Sequence, residues 1–143
     1  MLPFRSIVHS QLIAARAVTN NATATANLDT NGADYATIIV NISSEANTNA
    51  VGPTIQLLES DDTTASNFAT VTANITGDAV AAKPIVYGVD LRGRKRYLRI
   101  SISSATATND NFTASADAIL ARMDVGPAGT TGVTSTNGVT RFV

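Results

Sequence analysis

The chain has 143 residues and a mass of 14.8 kDa, the size of one domain that buries most of its unfolded surface. A formal net charge of −1 argues against the strongly basic face of a general nucleic-acid binder. The absence of cysteine excludes disulfides and thiolate metal sites, and no apolar run approaches the ~20 residues that a membrane-spanning helix needs.

Composition also limits the core. Aromatic residues make up 5% of the chain, Trp is absent, and much of the 44% hydrophobic fraction is Ala. Small side chains remove little apolar area from water, so a thin, tightly spaced core supplemented by self-association is expected. Charged residues are 15%, so Thr, Ser and Asn must cover much of the surface.

In chain order, Met1–Ala17 is apolar without a clean period. Arg5, Ser6, His9, Ser10 and Gln11 break its apolar stretch, which argues against a signal peptide, and the Asn-x-Thr/Ser matches at Asn21, Asn41, Asn74 and Asn111 then follow from an Asn/Thr-rich composition. Beyond it the sequence alternates with period two, the mark of half-buried strands. Ala22, Ala24, Ala26 and Leu28 share one face, and Asp29–Gly32 supplies a turn. Ala36, Ile38, Val40 and Ile42 form the next face, followed by Ile55 and Leu57, and then by Val71, Ala73 and Ile75. Ile85, Tyr87, Val89 and Leu91 continue the pattern, Gly93 interrupts it, and Leu98, Ile100 and Ile102 resume it.

Phe112, Ala114, Ala116, Ala118 and Leu120 complete the series, and their alternation favours strand over the helix that Ala-rich sequence also permits. Seven or eight strands at regular spacing predict an all-β fold, a jelly-roll-like two-sheet β-sandwich with extended N- and C-terminal arms. The expected organisation is an N-terminal arm over 1–20, the sandwich over 21–123 and a Gly/Thr-rich tail over 124–143. That tail is either an arm that orders on a partner or a frayed end.

Residues able to run a catalytic cycle are missing. A nucleophilic triad needs a base, and the one histidine, His9, lies in the N-terminal segment, where a surface or interface role is expected. Nitrogen or sulfur metal sites need more His or Cys than the chain has. Glu59, Asp61 and Asp62 lack the spacing of a calcium loop and read as a solvated turn. No glycine-rich phosphate motif is present. The chain is therefore read as not an enzyme, with no cofactor and no metal.

One cluster stands out. Arg92, Arg94, Lys95, Arg96 and Arg99 place five of the ten basic residues within eight positions. Guanidinium groups bind carboxylates through two parallel bonds, so the cluster either docks on an acidic protein surface or pairs internally with Asp90 and the Glu59–Asp62 turn. Internal structural pairing is expected for Arg92 and Arg96 with Glu59, Asp61, Asp62 and Asp90. Docking is expected for Arg94, Lys95 and Arg99, together with Phe4, Ile7, Val8, Leu12 and Ile13 of the N-terminal arm, by strand addition.

Three ordered segments, Leu28–Ile42, Ile55–Phe68 and Val86–Ser103, resemble the small head proteins of tailed bacteriophages that decorate or cement the capsid. The matching positions include Asp29, Asp34, Tyr35, Glu59, Asp61, Asp62, Asp90, Arg92, Gly93, Arg96 and Tyr97. The resemblance covers about Leu28 to Met123, and the apolar N-terminal segment departs from it. It implies a jelly-roll sandwich, often a homotrimer, on the outer capsid surface of the virion, with the major capsid protein and further copies of itself as partners, and neither nucleic acid nor membrane. The rival functions are a carbohydrate-binding virion adhesin and a tail or fibre component. A sugar site needs aromatic platforms, for which Tyr35, Tyr87, Tyr97, Phe68 and Phe112 are the candidates.

Overall fold

A computed structural model describes residues 7–43, 52–76, 84–104, 111–122 and 139–142. Among the described residues ten strands and one short 3-10 turn follow one another: β1 (Ile7–Thr19), β2 (Thr23–Asp29), β3 (Tyr35–Ile42), β4 (Thr54–Ser60), the turn Ala65–Asn67, β5 (Ala69–Thr70), β6 (Ile75–Thr76), β7 (Ile85–Asp90), β8 (Tyr97–Ser103), β9 (Asn111–Ala121) and β10 (Val139–Phe142). They form two sheets, ordered β1-β9-β3-β7-β10 and β2-β8-β4-β5, with β6 also paired to β4.

The pairings are nested. Innermost, β4 pairs with β5 and β6; then β3 with β7, β2 with β8 and β1 with β9, all antiparallel. The chain is thus one long hairpin, rolled so that β3 also meets β9 and β4 also meets β8. This is the jelly-roll arrangement of a two-sheet β-sandwich. β10 adds to it, running parallel to β7 from Val139 opposite Ile85 to Phe142 opposite Gly88.

The period-two faces meet between the sheets. Ile38, Val40, Tyr87 and Val89 of the first sheet and Ile55, Leu57, Leu98, Ile100 and Ile102 of the second are almost wholly excluded from solvent. Ala114, Ala116 and Ala118 of β9 are also fully buried, so the middle of this strand, beyond the buried Phe112, presents only methyl groups to the core. Turns follow the sequence signals. Gly32 and Gly93 both take positive φ, +82° and +83°, in the left-handed region that glycine enters without steric cost. Asn20 and Asn21 also have positive φ, and the Ala22 N–H donates to the Thr19 carbonyl at 2.8 Å, closing the turn between β1 and β2.

Three expectations change. Residues 7–19 are not a free arm: they form the outermost limb of the rolled hairpin, paired with β9 along its whole length, with Ile13 and Val18 in the core. Two register shifts, at Gln11/Ile13 and Ile13/Arg16, alter which side chains face inward and remove the clean period from the sequence. Secondly, Val71, Ala73 and Ile75 do not share one strand; residues 71–74 bend between β5 and β6, and Ile75 alone of the three is fully buried. Thirdly, the tail is not wholly loose, since residues 139–142 form β10; residues 123–138 and Val143 lie outside the described residues.

The two outer faces also differ. On the second sheet Thr23, Thr25, Thr54, Gln56 and Ser103 give the expected polar, hydroxyl-rich cover. On the first sheet Ile39, Val86 and Ile119 stand half-buried beside Thr37, which makes that face more aliphatic.

Candidate functional site

The three segments Leu28–Ile42, Ile55–Phe68 and Val86–Ser103 bring their charged residues to one end of the sandwich. There β2, β4 and β7 finish and β3 and β8 begin, while β1 starts and β9 ends beside them. Backbone bonds lock the loops together. The Thr30 N–H donates to the Arg96 carbonyl at 3.0 Å, the Asp34 N–H to Ala121 at 3.0 Å and the Leu91 N–H to Asp34 at 2.9 Å. The Thr30 hydroxyl, on a buried residue, adds a bond of 2.6 Å to the same Arg96 carbonyl.

Each member of the basic cluster has an internal partner. Arg92 bonds Asp90 through both nitrogens of its fork, Nε to Oδ1 at 2.9 Å and Nη2 to Oδ2 at 2.6 Å. That bond, helped by the Arg92 N–H, holds the Asp90 carboxyl down at about 2 and raises the Arg92 guanidinium in turn. Arg96 forms the same fork with Asp29, at 3.0 and 2.7 Å, and lowers its carboxyl.

Arg94 and Lys95, expected to dock, lie against the end of β4 and the turn that follows it. Arg94 Nη1 is 3.8 Å from Glu59 Oε2, and Lys95 Nζ is 3.3 Å from Asp61 Oδ2. The Lys95 N–H also donates to Glu59 Oε2 at 3.5 Å. Asp62 instead organises its own turn, accepting from Asn67 Nδ2 at 2.8 Å and from the Thr64 N–H at 2.7 Å, and these bonds lower its carboxyl. Arg99 Nε donates to Asn27 Oδ1 at 2.7 Å, and its guanidinium lies 3.7 Å from the centre of the Phe68 ring.

These contacts also cover aromatic surface. Arg92 stands over Tyr35 at 5.2 Å and Arg96 over Tyr97 at 5.0 Å, as Arg99 does over Phe68, while Tyr87 and Phe112 are buried in the core. None of the five candidate platforms for a sugar is left as a bare exposed ring.

The apolar candidates separate. Ile13 is 5% exposed and belongs to the core, and Leu12 packs against that core, so neither is free to dock as proposed. Ile7 and Val8, 59% and 51% exposed, are the large hydrophobic residues left open to solvent among the described residues. Phe4 lies outside them. Val8 lines a shallow pocket of about 150 Å³ with Asn31, Gly32, Ala33, Leu120, Ala121 and Arg122. Its lining is mostly apolar, and Arg122 is exposed.

Sequence reasoning missed the Asp29–Arg96 fork and the Arg122 pocket. Both depend on residues brought together from distant parts of the chain, Asp29 meeting Arg96 through the β2–β8 register and Val8 meeting Leu120 directly in the β1–β9 register. His9, on the outer face, has Nε2 3.2 Å from Asp117 Oδ1. No group of three or more possible metal ligands occurs among the described residues, and no helix is long and apolar enough to cross a membrane.

The strand order defines an all-β jelly-roll sandwich. Neither a family model nor a curated protein matches the chain. Among solved structures it is similar to the Yersinia pseudotuberculosis-derived mitogen, with 12% identity over 87% of this chain and 92% of that one and a TM-score of 0.44. It is also similar to a chain in the structure of infectious bursal disease virus Gx strain, with 11% identity and a TM-score of 0.47. That likeness covers 85% of this chain and 33% of the viral one.

Proposed function

We propose that the chain is a structural virion protein that binds the outside of an assembled capsid and stabilises it, without catalysing a reaction. The observation that carries this reading is the end of the sandwich built by the three segments that resemble phage head proteins. Its charges are tied to one another, and Ile7 and Val8 stand exposed beside it next to the Arg122 pocket. Such an end is a stiff, nearly neutral platform with an apolar edge, suited to a permanent interface with the major capsid protein. Neither nucleic acid, membrane nor cofactor enters the proposal.

The mechanism is mass action. A ligand that binds the assembled shell and not its dissociated subunits stabilises the shell by RT ln(1 + [L]/Kd), about 2.7 kcal/mol per site at 100 Kd. The effect repeats over every site of the lattice, and no reactive group is required.

The test is cosedimentation of the purified chain with intact shells and, separately, with dissociated capsid subunits. Retention by shells alone is expected, with weaker retention of Ile7→Ser/Val8→Ser. Equal binding to free subunits, or indifference to the double substitution, contradicts the proposal.

A further inference from the structure

Antiparallel strand pairing leaves every second residue of an edge strand with its N–H and C=O facing away from the sheet. In β2 the bonds at both ends of the ladder fix which residues these are. Ser104 N–H donates to the Ala22 carbonyl and Thr30 N–H to the Arg96 carbonyl, so the even-numbered residues face β8. Thr23, Thr25, Asn27 and Asp29 therefore turn their backbone groups outward, eight groups in all from four residues with one N–H and one C=O each.

Among the described residues the sandwich has four sheet edges, and three of them are guarded in ways that natural proteins use against unwanted pairing. β1 carries two register shifts and the exposed Arg16. β5 and β6 have two residues each, and β10 has four. Among the described residues β2 has no such guard. Its seven residues, Thr-Ala-Thr-Ala-Asn-Leu-Asp, contain neither Pro, Lys nor a bulge, and its one charge, Asp29, is held by Arg96.

The edge is also complementary to itself. Two β2 strands set antiparallel about a two-fold axis at Ala26 place Thr23 opposite Asp29 and Thr25 opposite Asn27. Every outward N–H and C=O of both strands then has a partner, and no like charges face each other. Ala24 meets Leu28 on the core side, where both are already buried.

We infer that β2 is a contact surface for a second copy of this chain, joined through β2–β2 pairing centred on Ala26 into one continuous sheet. This contact is two-fold and isologous, so it is distinct from the three-fold arrangement that the resemblance implies, and it does not depend on the proposed capsid role.

Light scattering over a hundred-fold concentration series tests it with the full chain. The mass should rise to twice 14.8 kDa. Thr25→Pro removes one outward N–H at a position where an edge strand tolerates proline, and should return the mass to one chain with an unchanged circular-dichroism spectrum. Thr25→Glu/Asn27→Glu sets Glu opposite Glu and should also give one chain, whereas Thr25→Lys/Asn27→Glu sets Lys opposite Glu and should restore two. A wild-type mass of one chain throughout, a trimer, or a dimer indifferent to these substitutions overturns the inference. Failure of the Lys/Glu variant to restore the dimer overturns the register.

Discussion

Arg96 and Asp29 lie 67 positions apart and form a two-bonded ion pair, Nε to Oδ1 at 3.0 Å and Nη2 to Oδ2 at 2.7 Å. The pair closes the gap where β8 begins and β2 ends, and the Arg96 carbonyl receives both the N–H and the hydroxyl of Thr30. One residue thus fastens the β2–β3 turn by its side chain and its backbone. Arg96→Ala should quicken amide exchange at Thr30 and Ala33 and leave Ile100, in the core of β8, unchanged. The effect should shrink as salt screens the wild-type pair. Equal exchange at Thr30 in both proteins would remove the pair from the account of this turn.

β1 gives a contrast within one strand. Ile13→Ala removes buried core volume and should cost about 2–5 kcal/mol in denaturant unfolding. Ile7→Ser, on an exposed side chain six residues earlier, should change stability by about 0.5 kcal/mol or less. Deleting residues 1–18 should unfold the domain rather than release a detachable arm. A folded, cooperative truncation would show that β1 is dispensable.

Much of the sandwich was legible in the sequence because β3, β4, β7, β8 and β9 each bury alternate side chains, and period-two burial writes itself into residue order. β1 was not legible, since its two register shifts break the alternation over Gln11–Arg16. Within the charged end, Arg92–Asp90 was readable as a local pair two positions apart. The partner of Arg96 was not, because it is set by the register of β8 on β2. Arg94 and Lys95 read as free cations in sequence, yet the β4–β8 ladder brings Glu59 and Asp61 beside them.

Acid should loosen this end first. The Asp90 carboxyl is held at about 2 against an ordinary value of 3.8, and Asp29 and Asp62 are lowered in the same direction. A depressed carboxyl favours the folded state above its unfolded value, and that contribution fades as pH falls from about 3.8 through about 2. Urea midpoints of wild type and Asp90→Asn should differ at pH 5, and the difference should shrink steadily as pH falls through about 2. A difference that stays constant across that range would contradict the linkage.

The Ala row of β9 sets the spacing between the sheets. Ala116 is fully buried between Ala114 and Ala118, so Ala116→Leu should force the layers apart and cost about 1–3 kcal/mol. A stabilised variant would reveal unfilled space behind β9.

Density for this chain on an intact particle is the most direct measurement of the proposed capsid role. The account predicts a jelly-roll sandwich on the outer shell, with the end that carries Ile7, Val8 and Arg122 turned toward the major capsid protein. Density at the tail or fibre, or on the shell with that end facing solvent, would contradict it.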